Sequence, residues 1–139
     1  MHERRDEMKE KYAGITGHIP SLEDHGHLYM YYGLPHSDDC YVYGDGEDDE
    51  YLIQSYEGVD FCRMVAETFE YEYKWMDVLD EHNIELSRIF DVDVESLDLD
   101  VTASLLLYLV VSITYEDIFI DAIENGYLLR LVKRLQHWN

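Results

Sequence analysis

Residues 100–111 read DVTASLLLYLVV, and this stretch decides the fold. A helix built from it carries apolar side chains on every side, which is typical of a helix buried at the centre of a domain. Asp100 stands where an N-cap residue would begin such a helix. The apolar run over residues 103–113, which Ser104 and Ser112 interrupt, is shorter than the roughly 20 residues that span a bilayer. We therefore predict a central core helix and no membrane span.

Two helical patterns precede this central stretch. Phe61, Val65 and Phe69 keep the spacing of one helix face. The apolar residues within 73–79 suggest a short second helix that ends near residue 82. Both patterns place apolar side chains where they can pack against a central helix.

Two more helices are predicted after it. Thr114 and Asp117 resemble a capping box for a helix over residues 118–123. Gly126 would end that helix, and residues 127–138 form a final amphipathic helix whose cations fall in the last turns. The sequence thus predicts a mostly α fold.

The N-terminal third is less regular. Residues 3–12 read as a short charged helix or a frayed arm, and residues 14–50 contain both prolines and six of the eight glycines. Cys40–Tyr43 and Tyr51–Ile53 are strand-like and flank an acidic turn, so a short β-hairpin is predicted there. We predict one compact domain over residues 1–139, with an irregular or hairpin region at 1–57 and a helical core at 58–139.

Length and composition agree with a folded domain. Leu, Ile, Val and Phe supply 39 of the 139 residues, which is above the roughly 20% level below which high net charge implies disorder. No apolar run follows Met1, so no secretory signal is predicted. Cys40 and Cys62 form no metal or redox motif, and the sequence leaves open whether they pair. The predicted location is the cytoplasm.

Negative charge is the most unusual property of the chain. There are 31 acidic against 10 basic residues, for a formal net charge of -21. Between residues 12 and 129 only Arg63, Lys74 and Arg88 are basic. DNA, RNA and anionic membrane faces are polyanions, so direct binding to them is excluded. A field of one sign steers oppositely charged molecules, and a basic protein partner is therefore predicted.

The segment 89–95 alternates apolar and acidic residues with period two, which predicts an extended edge segment. In that conformation Asp91, Asp93 and Glu95 would share one face, roughly 6.6 Å apart. This step is comparable to the phosphate step along a single nucleic-acid strand. The three acids are our first candidate residues for partner binding.

A second candidate surface lies at the hairpin. Its turn carries a run of acids, and Tyr41 and Tyr43 precede it. Tyrosine is abundant, with 13 residues, and it provides large contact area at low side-chain entropy in interfaces. Tyrosines that fill a modest core with outward hydroxyls are the alternative interpretation. The acidic candidates in the turn are Asp45, Glu47, Asp48, Asp49 and Glu50.

Metal sites and catalysis find little support. Several potential zinc ligands fall close in sequence, but their spacing fits no standard structural zinc site. The acidic turn lacks the alternation and the twelfth-position Glu of a calcium loop. No nucleophile elbow, P-loop or dinucleotide fingerprint is present, so we predict no metal, no cofactor and no enzyme activity. The potential zinc ligands are His18, His25, His27, His36, Asp38, Asp39 and Cys40.

The stretch from Gly58 to Trp138 carries a family resemblance. Its elements are Phe61 in a first helix, Tyr73-Lys74-Trp75 after it, and a closing pattern over 119–135 of an aromatic residue, an acidic helix, a Gly turn and a Leu-basic-basic-Leu helix. In these features the chain resembles an uncharacterised family of small bacterial and phage domains of unknown function. The resemblance implies an α-helical fold and supplies no mechanism.

Three functions are compatible with these features. The first is a nucleic-acid mimic that inhibits a basic nucleic-acid-binding protein; acidic phage proteins that block restriction or CRISPR effectors are similar in size and charge. The second is an immunity protein or antitoxin that neutralises a basic nuclease toxin. The third is a salt-adapted domain without a special partner. The mimic is the leading hypothesis, with the host cytoplasm as its location if the protein is phage-encoded, and the sequence does not fix the oligomeric state.

Overall fold

The predicted central helix lies at the centre of the fold. A computed structural model describes residues 12–24, 27–34, 40–43, 51–69, 74–113 and 117–136. Within it, helix α5 spans Leu99–Val111, and every residue from Val101 to Leu109 is buried. The buried hydroxyls of Thr102 and Ser104 donate to backbone carbonyls one turn back, so burial leaves neither unpaired.

The cap of α5 differs from the prediction. Asp98, not Asp100, is the N-cap, and its carboxylate accepts a hydrogen bond from the Val101 backbone N–H at 3.1 Å. Asp98 has the extended backbone that an N-cap needs, whereas Asp100 already lies in the first helical turn. The helix therefore begins two residues earlier than the sequence pattern suggested.

The mostly α prediction is confirmed. The helices before α5 are α3 (Tyr56–Phe69) and α4 (Trp75–Glu81), and those after it are α6 (Ile118–Glu124) and α7 (Tyr127–Leu135). Helix α4 packs along α5, where the rings of Trp75 and Tyr108 lie 5.5 Å apart. Residue 114 of the predicted capping box and residue 138 of the predicted last helix lie outside the described residues.

The turn between α6 and α7 follows the prediction closely. Gly126 has φ 80°, a left-handed conformation that glycine adopts without steric cost. The Asn125 side chain accepts a hydrogen bond from the Tyr127 backbone N–H at 2.9 Å and supports the start of α7. This turn lets both helices pack on α5 and on each other.

The N-terminal third is more ordered than predicted. Two short helices, α1 (Ala13–Thr16) and α2 (Ile19–Asp24), precede strand β1 (Met30–Gly33), so the prediction of irregular structure there is wrong. Tyr12, Ile15, Ile19 and Leu22 are all buried, and their three- and four-residue spacing is helical. Of the charged helix or arm predicted over residues 3–12, only Tyr12 is among the described residues.

The predicted hairpin is confirmed and is part of a larger sheet. Strands β2 (Cys40–Tyr43) and β3 (Tyr51–Ser55) pair antiparallel, with Cys40 opposite Ser55 and Tyr43 opposite Leu52. Strand β1 pairs antiparallel with the other edge of β3, giving the order β1-β3-β2. The acidic turn at 44–50 lies outside the described residues.

One hydrophobic core joins the elements. It runs from Tyr12 of the N-terminal third to Leu135 of α7, so residues of both predicted regions, 1–57 and 58–139, contribute to it. Helix α7 supplies five of its members, Tyr127, Leu128, Leu131, Val132 and Leu135. In the part of the chain that the structure describes, no helix is long and apolar enough to cross a membrane.

The prediction of an extended segment at 89–95 is wrong. This region forms two 3-10 turns, Leu86–Asp91 and Val94–Ser96, between α4 and α5. The side chains that anchor it are Ile89 and Val94, both buried, which are five residues apart rather than two. Alternation in the sequence therefore reflected two successive tight turns, in which acids fill the outer positions.

Candidate protein-interaction surface

Among the residues that the structure describes, exposed acids are concentrated from α4 to the start of α5. We call residues 77–100 the acidic segment. It contains nine acids and one base, Arg88. All nine acids are exposed. They are Asp77, Asp80, Glu81, Glu85, Asp91, Asp93, Glu95, Asp98 and Asp100.

The helices and turns of the acidic segment are packed on the core, and this packing directs the acids of the segment to solvent. In α4, Leu79 is buried and packs in the core, so Asp77, Asp80 and Glu81 point to solvent. At the end of α4, the His82 Nε2 atom lies 3.7 Å from the Asp98 carboxylate, which brings that end to the start of α5. The acids are thus displayed on folded structure and not on a loose tail.

Three of the nine acids have internal roles. Asp98 caps α5, and Glu85 lies 3.9 Å from the Arg88 side chain. Glu95 accepts two hydrogen bonds from Arg130 of α7, at 2.7 and 3.3 Å. The bonds from Arg130 lower the pKa of Glu95 to about 2. Glu95, although exposed, is therefore already paired.

This pairing changes the interpretation of the predicted strip. Asp91, Asp93 and Glu95 are all exposed, as expected, but the 3-10 turns remove the period-two geometry that would have aligned them. Asp93 lies close enough to contribute to the field at Arg130. Asp91 has no ion pair among the described residues. Their role in partner binding stays a prediction.

A partly apolar groove, lined by four apolar residues and two acids, lies within the acidic segment, and it was not predicted from the sequence. It is a cavity of about 300 Å³, and we call it the α4 groove. Met76 and Leu86 at its edge are 64% and 40% exposed. Trp75, Val78 and Leu79 form the inward stripe of α4, and Met76 falls beside it, which is the signal that could have revealed the groove. Its lining residues are Met76, Asp77, Leu79, Asp80, Ile84 and Leu86.

The candidate tyrosines of the hairpin differ from each other. Their rings meet edge to face, with centroids 4.7 Å apart. The Tyr43 hydroxyl donates to Gln54 Oε1 at 2.8 Å, and burial raises the pKa of Tyr43. Tyr41 is 47% exposed. Tyr43 is therefore held in a structural contact, and Tyr41 is the one that can meet a partner. The acidic candidates Asp45, Glu47, Asp48, Asp49 and Glu50 lie outside the described residues.

The cations of α7 contact acids and a backbone carbonyl of the protein itself. Arg130 pairs with Glu95, and the Lys133 ammonium lies 3.4 Å from Glu23. Arg134 donates through Nε and Nη2 to the Leu97 carbonyl, at 2.9 and 2.7 Å. These contacts fasten α7 to α2 and to the second 3-10 turn. They neutralise only a small part of the acidic surface.

Of the potential zinc ligands, the structure describes His18, His27 and Cys40. His18 Nδ1 lies 3.0 Å from Glu57 Oε1, and Ser21 donates to the same oxygen. Among the residues that the structure describes, no three His, Cys, Asp or Glu side chains are grouped to hold a metal. His25, His36, Asp38 and Asp39 are outside those residues.

The two cysteines are not joined by a disulfide. Cys62 accepts a hydrogen bond from Gln54 Nε2 at 3.5 Å. Burial raises the pKa of the Cys62 thiol to about 12, so this thiol stays protonated and unreactive at neutral pH.

No family model, curated protein or solved structure matches this chain. The resemblance of its helical part to an uncharacterised family stays a prediction.

Proposed function

We propose that this protein is an acidic inhibitor that occupies the basic nucleic-acid-binding surface of another protein in place of nucleic acid. The observation that carries the proposal is the acidic segment: nine exposed acids with one internal base, held on helices and turns. Asp77, Asp80, Glu81, Asp91 and Asp100 have no ion-pair partner among the described residues. They are available to Lys and Arg of a partner.

The physics of such binding is well matched to a rigid acidic surface. Charge of one sign raises the association rate by steering a basic partner toward it. Arginine forms paired hydrogen bonds with carboxylates, as it does with phosphates, so a surface built for phosphate accepts carboxylates. Carboxylates held on folded elements lose little conformational freedom on binding, which preserves affinity.

The proposal places the protein in the cytoplasm, in a host cell if it is phage-encoded, acting without a cofactor and without catalysis. The partner is a basic effector nuclease, for example of a restriction or CRISPR system. An immunity protein would bind a basic nuclease toxin through the same carboxylates. The identity of the captured partner separates these two cases.

Affinity capture from a host lysate tests the proposal. The wild-type protein is compared with a variant carrying Asp77→Asn, Asp80→Asn and Glu81→Gln, which removes three charges from the acidic segment. A matched control carries Asp24→Asn, Asp121→Asn and Glu67→Gln, which removes three exposed charges elsewhere. We expect the wild type and the control to capture a basic nucleic-acid-binding protein that the first variant loses.

A competition assay completes the test. The captured protein is mixed with its labelled nucleic acid, and the wild-type inhibitor should displace that nucleic acid. Capture of only acidic or neutral proteins would contradict the proposal. Equal capture by the two triple variants would show that the acidic segment is not the binding surface.

A further inference from the structure

The α4 groove adds an apolar element to the acidic surface. Leu79 forms the buried part of this groove, whereas Met76 is 64% exposed and Leu86 is 40% exposed. Neither Met76 nor Leu86 is needed to fill the core, because both keep large exposed fractions. Met76 and Leu86 line the same cavity, so an apolar side chain that enters it would contact both.

The charge around the groove limits what can enter it. Asp77 and Asp80 line the cavity directly, and they are neighbours on α4 because they are three residues apart. Glu81 and Glu85 follow in the same segment. Nucleic acid, an anionic lipid face and an acidic peptide are all repelled by this rim. The charge complements an occupant that carries Lys or Arg beside an apolar side chain.

The shape of the occupant follows from the same geometry. An amphipathic helix presents apolar and basic side chains three or four residues apart, so one helix can offer an apolar side chain to the groove and cations to Asp77 and Asp80, which are themselves about one turn apart. Methionine suits the lining of such a groove because its flexible side chain adapts to the shape of the side chain that enters.

We propose that the α4 groove receives one apolar side chain from a basic amphipathic helix of the partner, whose Lys or Arg residues pair with Asp77 and Asp80. This inference rests on the proposed function and assigns the partner's binding element. Electrostatic attraction brings the partner in, and the groove selects, among basic surfaces, those that offer an apolar side chain at the correct position.

Two synthetic peptides test the inference without knowledge of the partner. The first is a fluorescein-labelled helix of about 18 residues, long enough to form a helix, with Leu on one face and Arg on the other. The second has the same Arg residues and Gln in place of Leu. Fluorescence anisotropy at physiological salt should show the Leu peptide binding about 10-fold more tightly, which corresponds to about 1.4 kcal/mol.

Variants assign that preference to the groove. Met76→Gln with Leu86→Gln should remove the 10-fold preference and leave the affinity for the Gln peptide unchanged. The matched control is Leu34→Gln with Val111→Gln, two exposed apolar residues elsewhere, and it should keep the preference. Circular dichroism verifies that each variant is folded. We expect all of them to fold, because the four substituted residues are exposed.

The outcomes separate the inference from the proposed function. If both peptides bind the wild type equally, the α4 groove does not bind an apolar side chain, but the acidic surface still binds cations. If neither peptide binds, the inference fails, whereas the proposed function is decided by the affinity capture. Retention of the preference in Met76→Gln with Leu86→Gln overturns the groove assignment. Sedimentation showing a dimer that this variant loses would assign the groove to a second copy of the chain and overturn the inference.

Discussion

The contact between Arg134 and the Leu97 carbonyl gives the sharpest test of how the acidic segment is held. Arg134→Met removes the guanidinium and keeps a flexible apolar stem of similar packing. The carbonyl then loses two donors, at 2.9 and 2.7 Å. Hydrogen bonds to charged groups contribute about 1.5–3 kcal/mol, so we expect the free energy of unfolding to fall by that amount.

Lys133→Met is the matched control for this change. It removes the same charge from the neighbouring position in the same last turn of α7, so the helix dipole and the overall charge repulsion change in nearly the same way. Lys133 makes an exposed ion pair at 3.4 Å with Glu23, which is worth about 0.2–1 kcal/mol. The difference between the two variants should therefore be about 1–2 kcal/mol and should report the carbonyl contact.

Urea titrations followed by circular dichroism measure both variants at the same ionic strength. The linear extrapolation gives the free energy of unfolding, and equal slopes verify that both variants unfold from comparably compact states. Equal losses of stability in the two variants would refute the reasoning, because charge alone would then account for the effect. A repeat at 1 M salt screens surface charge, and the difference between the variants should persist there.

Three further predictions concern capping, pH and salt. Asp98→Ala should lower the free energy of unfolding by about 1 kcal/mol in urea titrations, and Asp100→Ala should cost clearly less, because only Asp98 caps α5; equal costs would contradict the assigned cap. Hydrogen bonds from Ser21 and His18 lower the pKa of Glu57 below its unfolded value near 4.5. The stability that this carboxylate contributes is therefore complete above pH 4.5, and it is lost as the pH falls through the lower pKa of the folded state. Thermal melts from about pH 6 down to about pH 3, across the unfolded pKa of a glutamate, should therefore show a smaller acid-induced loss of stability for Glu57→Gln than for the wild type. Identical curves would argue against the shift. The melting temperature of the wild type should rise with sodium chloride because self-repulsion is screened; a melting temperature that falls with salt would show that attractive pairs dominate.

The features that the sequence predicted are those with a continuous pattern. The apolar run of α5 has no competing interpretation, since a helix with apolar residues on all sides must be central. The Gly126 turn was predictable because one residue type supplies its left-handed backbone. The strands β2 and β3 were recognisable as two short strand-like runs on either side of an acidic turn.

The missed features depend on tertiary contacts. Gly14, Gly17 and Pro20 obscured α1 and α2, yet the buried side chains around them supply the stability that local propensity lacks. Strand β1 is four residues long and is stabilised by β3, which a local pattern does not show. At 89–95 the sequence could not distinguish an extended segment from two 3-10 turns.

The candidate surface was predicted in part for the same reason. The excess of acids is readable from the sequence, and the segment that carries the strip was identified correctly as exposed. Which acids are already paired depends on α7, since Arg130 reaches Glu95 across the fold. The α4 groove was missed because Met76 was grouped with the apolar residues of its helix, and only the packing of α4 on α5 shows which side is left uncovered.

The cations of α7 also bear on when the protein can fold. Lys133 meets Glu23 of α2, and Arg134 meets the Leu97 carbonyl, so the last described helix contacts elements synthesised long before it. Until α7 emerges from the ribosome, the core lacks five of its buried side chains. The acids that contact α7 in the folded protein then repel one another, because the cations of α7 are not yet present to neutralise them. Contacts between distant parts of a chain slow folding, because a long loop must close before they form. Folding of this protein is therefore expected to be completed only after α7 has left the ribosome, in one late step that joins both ends of the described fold.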